Sequence, residues 1–392
     1  MLSWRKYHLK CMKIRRNICI LTAVHPVWDS RIFHREAKTL VRAGYEVSFI
    51  VPHDKEEIIE GVRIIPLPKP NNRFSRMTRG AWRLFRLALK EKSDIYHFHD
   101  PEIIPVGILL KLLTRSQVIY DVHENIPAQI LAKKWIPFYI RTVISNLFNC
   151  IQKICFLFFD AIIVAGDDIA ENLLYHEKIK VVRNFPPLEE IKRNTWRKRG
   201  KEKRQIRLIY IGLMTQDRGI QQMVEAVRLI KDDIKLVLVG DFDDAGFYEH
   251  IKGISDRRVE FVGQVSYGRV FEYLRGADIG LILFHAIPNN IEAIKGRNRK
   301  IFEYMATGLP IVASDLRGWR KAIEDRGYGV VVDPLDPKDI ANGMKRLIDN
   351  PQLRTKMGQQ CISSCLNEFN WEKEEQVFLK VYEDTLARGV SG

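Results

Sequence analysis

Residues 298–315 read NRKIFEYMATGLPIVASD. An amphipathic helical turn carries one carboxylate, Glu303, and a Gly-Leu-Pro break then leads into an apolar strand at 311–314. Glycine ends a helix readily, and proline sets the new chain direction. In an α/β domain, a helix entered from a loop aims free backbone N–H groups into the crevice. Arg297, Arg299 and Lys300 add positive charge at that entrance. The arrangement suits a diphosphate, with Glu303 one turn further in to accept hydrogen bonds from a sugar hydroxyl. An ordinary αβ unit with a solvated basic cap fits the same residues.

Working outward, the same alternation fills the chain. Strand-like apolar runs occur at 18–24, 47–51, 62–67, 95–98, 118–120, 161–165 and 180–182, with helical patterns at 31–42, 79–90, 103–113 and 139–159. Short continuous apolar strands separated by helices indicate a parallel sheet covered on both faces. Pro186-Pro187 and the Lys/Arg-dense run 192–203 then read as an exposed linker. Beyond it, strands are expected at 208–211, 235–239, 259–262, 279–283, 311–313 and 329–332. Helices are expected at 220–231, 270–276, 299–307, 337–350 and 351–368. Two doubly wound α/β domains follow, 13–190 and 205–370, with a crevice between them. A last helix, 371–387, has no strand after it and is placed to cross back to the first domain.

The chain has 392 residues, 46% hydrophobic, with net charge +15. That charge favours anionic partners, whether nucleic acid, acidic lipid or phosphorylated substrate. Six cysteines include no C-x-x-C and read as buried small hydrophobes in a reducing cytoplasm. The basic, then apolar N-terminus lacks a cleavage site and reads as a first strand, with Met12 as an alternative start. Lys153 and Asp160 interrupt the longest apolar run, 148–165, so a helix followed by a strand explains it better than a membrane span. No GxGxxG or Walker P-loop is present, which argues against dehydrogenases and NTPases.

Several motifs sit where strands end. In YIGLMTQDRGI (210–220) a strand ends at Gly212, and Arg218-Gly219 opens a helix, so Arg218 is placed to clamp phosphate oxygens or to cap a loop at the surface. YHFHDPE (96–102) puts His97 and His99 on one strand face; a metal site needs further ligands, so the histidines read as lining the crevice floor. YDVHENIP (120–127) puts His123 beyond a strand end, where it can meet a substrate hydroxyl or cap a helix start. In the segment before the first helix, Asp29 and Ser30 are candidate N-caps, and Arg31 and His34 candidate crevice residues. Arg73, Arg76, Arg79, Arg83 and Arg86 surround Trp82 and Phe85. With the apolar run 135–159 they form a basic, aromatic surface suited to an acidic membrane interface, or a plain solvated helix. No recognised nucleic-acid module accompanies it.

Taken in order, HPVWDSRIFHREAKTLVRAGYEV, HFHDPE, YDVHE, YIGLMTQDRGI, FVGQVS and NRKIFEYMATGLPIVASD resemble the retaining glycosyltransferases of family 4, the group 1 glycosyltransferases. The resemblance implies a GT-B fold of two Rossmann-like domains, acceptor on the first and nucleotide sugar on the second, with neither metal nor cofactor. It implies that Glu303, the second glutamate of the family's E-x7-E motif, binds the nucleotide ribose. It places the diphosphate on the backbone around Arg299 and Lys300, and on Arg218 and the Gly212 loop. His123 matches the acceptor-domain histidine that contacts the transferred sugar. The chain departs from the family in having Lys295 where the first glutamate falls, with Glu292 out of register. Leu213 stands where many members have arginine, and the first loop has no Gly-Gly.

The expected function is glycosyl transfer with retention from a nucleoside-diphosphate sugar to an acceptor hydroxyl, in polysaccharide or glycolipid synthesis, with His123 and Arg218 as catalytic residues. The acceptor is a glycan or lipid-linked glycan, and the protein is expected in the cytoplasm, peripheral to an anionic membrane. A nucleotide-sugar 2-epimerase of the same fold and a non-catalytic nucleotide-sugar-binding subunit are the alternatives.

Overall fold

The computed structural model describes residues 16–70, 72–123, 125–132, 136–173, 177–195, 205–291 and 298–390. Met12, Glu292, Lys295, Arg297 and the linker residues 196–203 therefore lie outside the described residues.

The first sheet holds eight strands: β1 (Asn17–Leu21), β2 (Glu46–Pro52), β3 (Glu57–Ile59), β4 (Val62–Leu67), β5 (Ile95–Phe98), β6 (Gln117–Val122), β7 (Ala161–Val164) and β8 (Ile179–Val181). Their order is β3-β4-β2-β1-β5-β6-β7-β8. All pairings are parallel except β3 with β4. β3 escapes a sequence reading because it is a three-residue edge strand with incomplete burial and no apolar run. The second sheet holds six parallel strands: β9 (Ile206–Ile211), β10 (Ile234–Val239), β11 (Val259–Gly263), β12 (Ile279–Ile282), β13 (Ile311–Ser314) and β14 (Gly329–Val332). Their order is β11-β10-β9-β12-β13-β14.

Alternation along each strand makes two cores in the first unit. Ile18 and Ile20 enter one, and Cys19 and Leu21 the other. The last helix, Trp371–Val390, leaves the second unit and sends Trp371, Phe378, Val381 and Tyr382 into the core of Ile18 and Ile20. The Trp371 indole donates to Thr39 Oγ1 at 3.0 Å. Nearby, the backbone N–H groups of Arg183 and Leu188 donate to Glu374 and Glu372 of that helix at 2.8 and 2.9 Å, so the crossing is tied by charge-assisted bonds.

Residues 192–195 are not linker. They close the helix Leu188–Thr195, whose Ile191 is buried in the core of the second unit with Phe185. Lys192 and Arg193 of the basic run lie on that helix's exposed face, which composition alone does not separate from a loop.

Strand order reverses at β1/β5 in the first sheet and at β9/β12 in the second. Such switch points open crevices at the carboxyl ends of the strands. Residues following β1, β5, β9 and β12 should therefore line the ligand site.

Candidate functional site

β9 ends at Ile211, and the next residue, Gly212, has φ +115°. That φ favours glycine, and a Cβ there would lie 2.4 Å from Cε of Lys300, displacing the lysine terminus from the strand end. Lys300 Nζ then donates to the Tyr210 hydroxyl at 2.9 Å and sits 4.5 Å from its ring centre. The loop continues into a short turn, Gln216–Arg218, closed by Gly219 at φ +71°. Gly219 packs so tightly on β12's exit that a Cβ would come within 2.0 Å of the Leu283 carbonyl oxygen. That approach brings Arg218 over the Phe284 ring, 4.3 Å from its centre, and Lys300 lies 5.3 Å from the same ring. The structure thus gathers Arg218 and Lys300 around the Phe284 ring, with Gly212 against the Lys300 stem.

Two cations beside one ring repel each other. Burial lowers the Lys300 pKa well below the ordinary lysine range, and the Arg218 charge lowers it further. An anion lying against both groups would reverse that shift.

Lys300 opens the helix Arg299–Ala306, whose N-cap is Asn298 in an extended conformation with no side-chain cap bond. Among the described residues no side chain caps the N–H groups of Arg299 and Lys300, the donors a helix start offers to an anion. Arg299 Nε lies 2.8 Å from Glu303 Oε1, one turn on. Arg299 also bonds the Ser30 hydroxyl of the first unit and sits 5.2 Å from the Tyr267 ring centre. Glu303 is 1% exposed. In this state the expected ribose ligand is engaged by Arg299 rather than open to the cleft, a partnership that i,i+4 spacing permits but does not announce.

Across the cleft, His123 follows β6. Its Nε2 lies 3.1 Å from His99 Nδ1 and 3.3 Å from Asp121 Oδ1. The His25 ring meets it edge-on at 5.6 Å, and His25 Nε2 lies 3.4 Å from Asp100. Asp100 accepts from the Thr22 hydroxyl and the Ala23 N–H at 2.9 and 2.6 Å, which fixes the loop after β1. A cavity of about 360 Å³ opens here, lined by His25, His99, Asp100 and His123 and bounded by Arg76 and Phe148. Among the described residues, no hydrogen bond or ion pair joins His123 to Arg218 or Lys300; they face the cleft from opposite units.

Beneath His123 lies a buried network that the sequence reading did not assemble. Glu36, His97, His99 and Asp121 place ligand-type atoms within 4.8 Å of one another. The centre of this group is already cationic: Arg31 lies 2.8 Å from Asp121 and 2.8 Å from Glu36. It also donates to the Val182 carbonyl at 2.8 Å. A divalent ion there would meet the guanidinium at close range, so the donor set does not fit a metal. Arg31 was a candidate crevice residue and is instead buried in this network. Burial alone would push the Asp121 carboxyl up, but the Arg31 charge and then His123 hold it well below the usual carboxylate range. Burial and the Asp121 charge push the Glu36 carboxyl up, against the opposing pull of Arg31. Burial lowers the His97 pKa to about 3, and the His97 ring bonds the Tyr382 hydroxyl at 2.6 Å. The last helix therefore reaches the layer beneath His123. A signal was present in Arg31 and in Asp121 of YDVHE, but only the packing pairs residues ninety positions apart.

The comparisons agree with this geometry. Residues 30–190 match the model described as Glycosyltransferase Family 4, and residues 205–350 match Glycosyl transferases group 1. The N,N'-diacetylbacillosaminyl-diphospho-undecaprenol alpha-1,3-N-acetylgalactosaminyltransferase of Campylobacter jejuni is 24% identical over 333 residues, 74% of this chain and 85% of its own. Other curated relatives align over about half of their own length. Among solved structures, sucrose-phosphate synthase from Thermosynechococcus elongatus matches with TM-score 0.72 at 18% identity, covering 95% of this chain and 100% of its own. The Anabaena protein HepE in complex with UDP-glucose matches with TM-score 0.70 at 14% identity, covering 94% and 100%. Two facing Rossmann-like sheets, a cation pair at one switch point and these matches place the chain in one family: it belongs to the group 1, family 4 glycosyltransferases, with the GT-B fold.

Proposed function

We propose that this glycosyltransferase moves a sugar, with retention, from a nucleoside-diphosphate sugar to an acceptor hydroxyl. The observation that carries the reading is the shared seat of Arg218 and Lys300 over Phe284, beside the uncapped start of the Arg299–Ala306 helix. Departure of a diphosphate builds charge on its oxygens, and preorganised donors stabilise that charge without reorganising. Glu303 takes the ribose hydroxyls once Arg299 turns from it to the diphosphate. His123 contacts the sugar from the opposite unit, oriented by Asp121 and His99. The departing diphosphate accepts the acceptor's proton, so no separate base is required. Closure of the two units over the substrates excludes water and limits hydrolysis.

The acceptor is a glycan or lipid-linked glycan of a polysaccharide or glycolipid pathway, met at an anionic membrane face on the cytoplasmic side. The lipid-diphosphate acceptor in the name of the Campylobacter relative supports this reading. The family match does not favour the epimerase or the non-catalytic subunit.

A thermal-shift panel of UDP-, GDP- and ADP-sugars should find one donor that raises the melting temperature. With that donor, Arg218→Ala should lower kcat by roughly 100- to 1,000-fold, the cost of one missing oxyanion donor. Glu303→Ala should instead raise the donor KM by about ten- to 100-fold, the loss of a charged hydrogen bond. Wild-type values for both variants would overturn the site.

A further inference from the structure

The helix Phe138–Phe156 is packed inside out. Its buried side chains are Ser145, Gln152 and Phe156, and the Ser145 hydroxyl donates inward to the Pro127 carbonyl at 3.0 Å. Its apolar residues face solvent: Phe138 is 79% exposed and Leu147 58%, and Tyr139, Val143, Ile151 and Ile154 are exposed with them. Tyr139, Val143, Leu147, Ile151 and Ile154 recur at spacings of four, four, four and three, one continuous stripe along the helix. A contiguous exposed apolar face of this kind marks an interaction site rather than ordinary surface.

Two further facts identify the partner. Phe148 of this helix and Arg73, Arg76 and Met77 of the neighbouring segment all border the cavity that holds His123. On that segment Trp82 is 59% exposed, with Phe74 and Met77 also exposed, among exposed Arg79, Arg83 and Arg86. From residue 73 to residue 90 there are six cations and no acid, and the 138–156 helix carries Arg141 and Lys153 and no acid. A second copy of the chain would bring the same positive face against this one, which opposes an isologous dimer. A bilayer with anionic headgroups offers both an apolar interior and negative charge.

Resting on the acceptor reading above, we propose that the Phe138–Phe156 helix lies in the membrane interface. Its 139/143/147/151/154 stripe enters the acyl layer, and Arg79, Arg83 and Arg86 sit at the headgroups. The mouth of the His123 cavity then stands at headgroup level, and a lipid-linked hydroxyl reaches the site without its hydrocarbon chain leaving the bilayer.

The test is flotation of the full chain with phosphatidylcholine vesicles, with and without phosphatidylglycerol, at low and near-physiological salt. Binding should require the anionic lipid at low salt. The triple substitution Val143→Ser, Leu147→Ser, Ile151→Ser should lower partitioning at least tenfold at both salt concentrations. The triple substitution Arg79→Gln, Arg83→Gln, Arg86→Gln should lower it on the order of 100-fold at low salt. Both variants should keep the wild-type melting temperature, its donor-induced rise and transfer to a water-soluble acceptor analogue. Absence of the donor-induced rise and of transfer in the wild-type chain, with vesicle binding intact, would sink the functional reading and leave the surface standing. Absence of vesicle binding at low salt, or binding unaffected by the apolar substitutions, would overturn the surface. So would a concentration-dependent dimer that the apolar substitutions abolish, which would assign the stripe to a second copy.

Discussion

Lys300 shows most directly how a single residue carries the site's chemistry. Its ammonium is confined by Tyr210 and Phe284 and faces Arg218, so its pKa is depressed in the free protein. A bound diphosphate restores the pKa, and only the protonated form attracts it fully. The sign follows: donor affinity is complete below the depressed value and falls as pH rises through it. Donor KM should therefore climb on the alkaline side at a pH below the ordinary lysine value of 10.5, the donor binding with proton uptake there. Lys300→Met should raise KM and remove that alkaline limb; a limb unchanged in Lys300→Met would assign it elsewhere. Arg299 adds a second residue-scale point. Its guanidinium joins Glu303 and Ser30, so Glu303, the proposed ribose ligand, is coupled to the opposite unit in the free protein.

At the scale of elements, loops and helix ends do the positioning. The turn that carries Arg218 is held by the contact of Gly219 with Leu283. Gly219→Ala adds a Cβ at positive φ against a backbone carbonyl that has no easy retreat, so it should destabilise the second unit by about 1–3 kcal/mol. The same substitution should reduce donor binding by displacing Arg218. Denaturant unfolding and the donor thermal shift check the two effects, and an unchanged midpoint would show that the turn yields freely. The Gly308 stop of the Arg299–Ala306 helix, at φ +69°, was legible as sequence because a break residue acts locally. The Phe138–Phe156 helix was legible as a helix and as part of a basic, aromatic surface, but not for which of its sides is turned outward. Its period is the same whichever face is buried, and the neighbours decide which face that is.

At the scale of the whole molecule, the crossing helix Trp371–Val390 makes one protein of two sheets. Trp371 is buried against Thr39, and Tyr382 reaches His97 beneath His123. Trp371→Ala should cost about 3–5 kcal/mol, the range for deleting a buried aromatic. It should loosen the first unit selectively, seen as a lower-melting transition in calorimetry that separates from the donor-stabilised one. A single transition shifted by less than a degree would show that the helix is not needed for the first core.

The alternating apolar strands and helical faces were enough to specify two parallel α/β sheets, because hydrophobic periodicity is a local property of the chain. Gly212, Arg218, Lys300 and Glu303 could be singled out for the same reason: each sits at a predicted strand end or helix start, where such folds bind ligands. Tertiary structure alone decided that Arg31, Glu36, Asp121, His97 and Tyr382 form one buried network. It also decided that Arg299 spans the cleft to Ser30 and that the 138–156 helix turns its apolar side outward. Those outcomes depend on residues far apart in sequence meeting in a low-dielectric core or across a cleft, where burial and pairing energies arise only once the chain has closed around them.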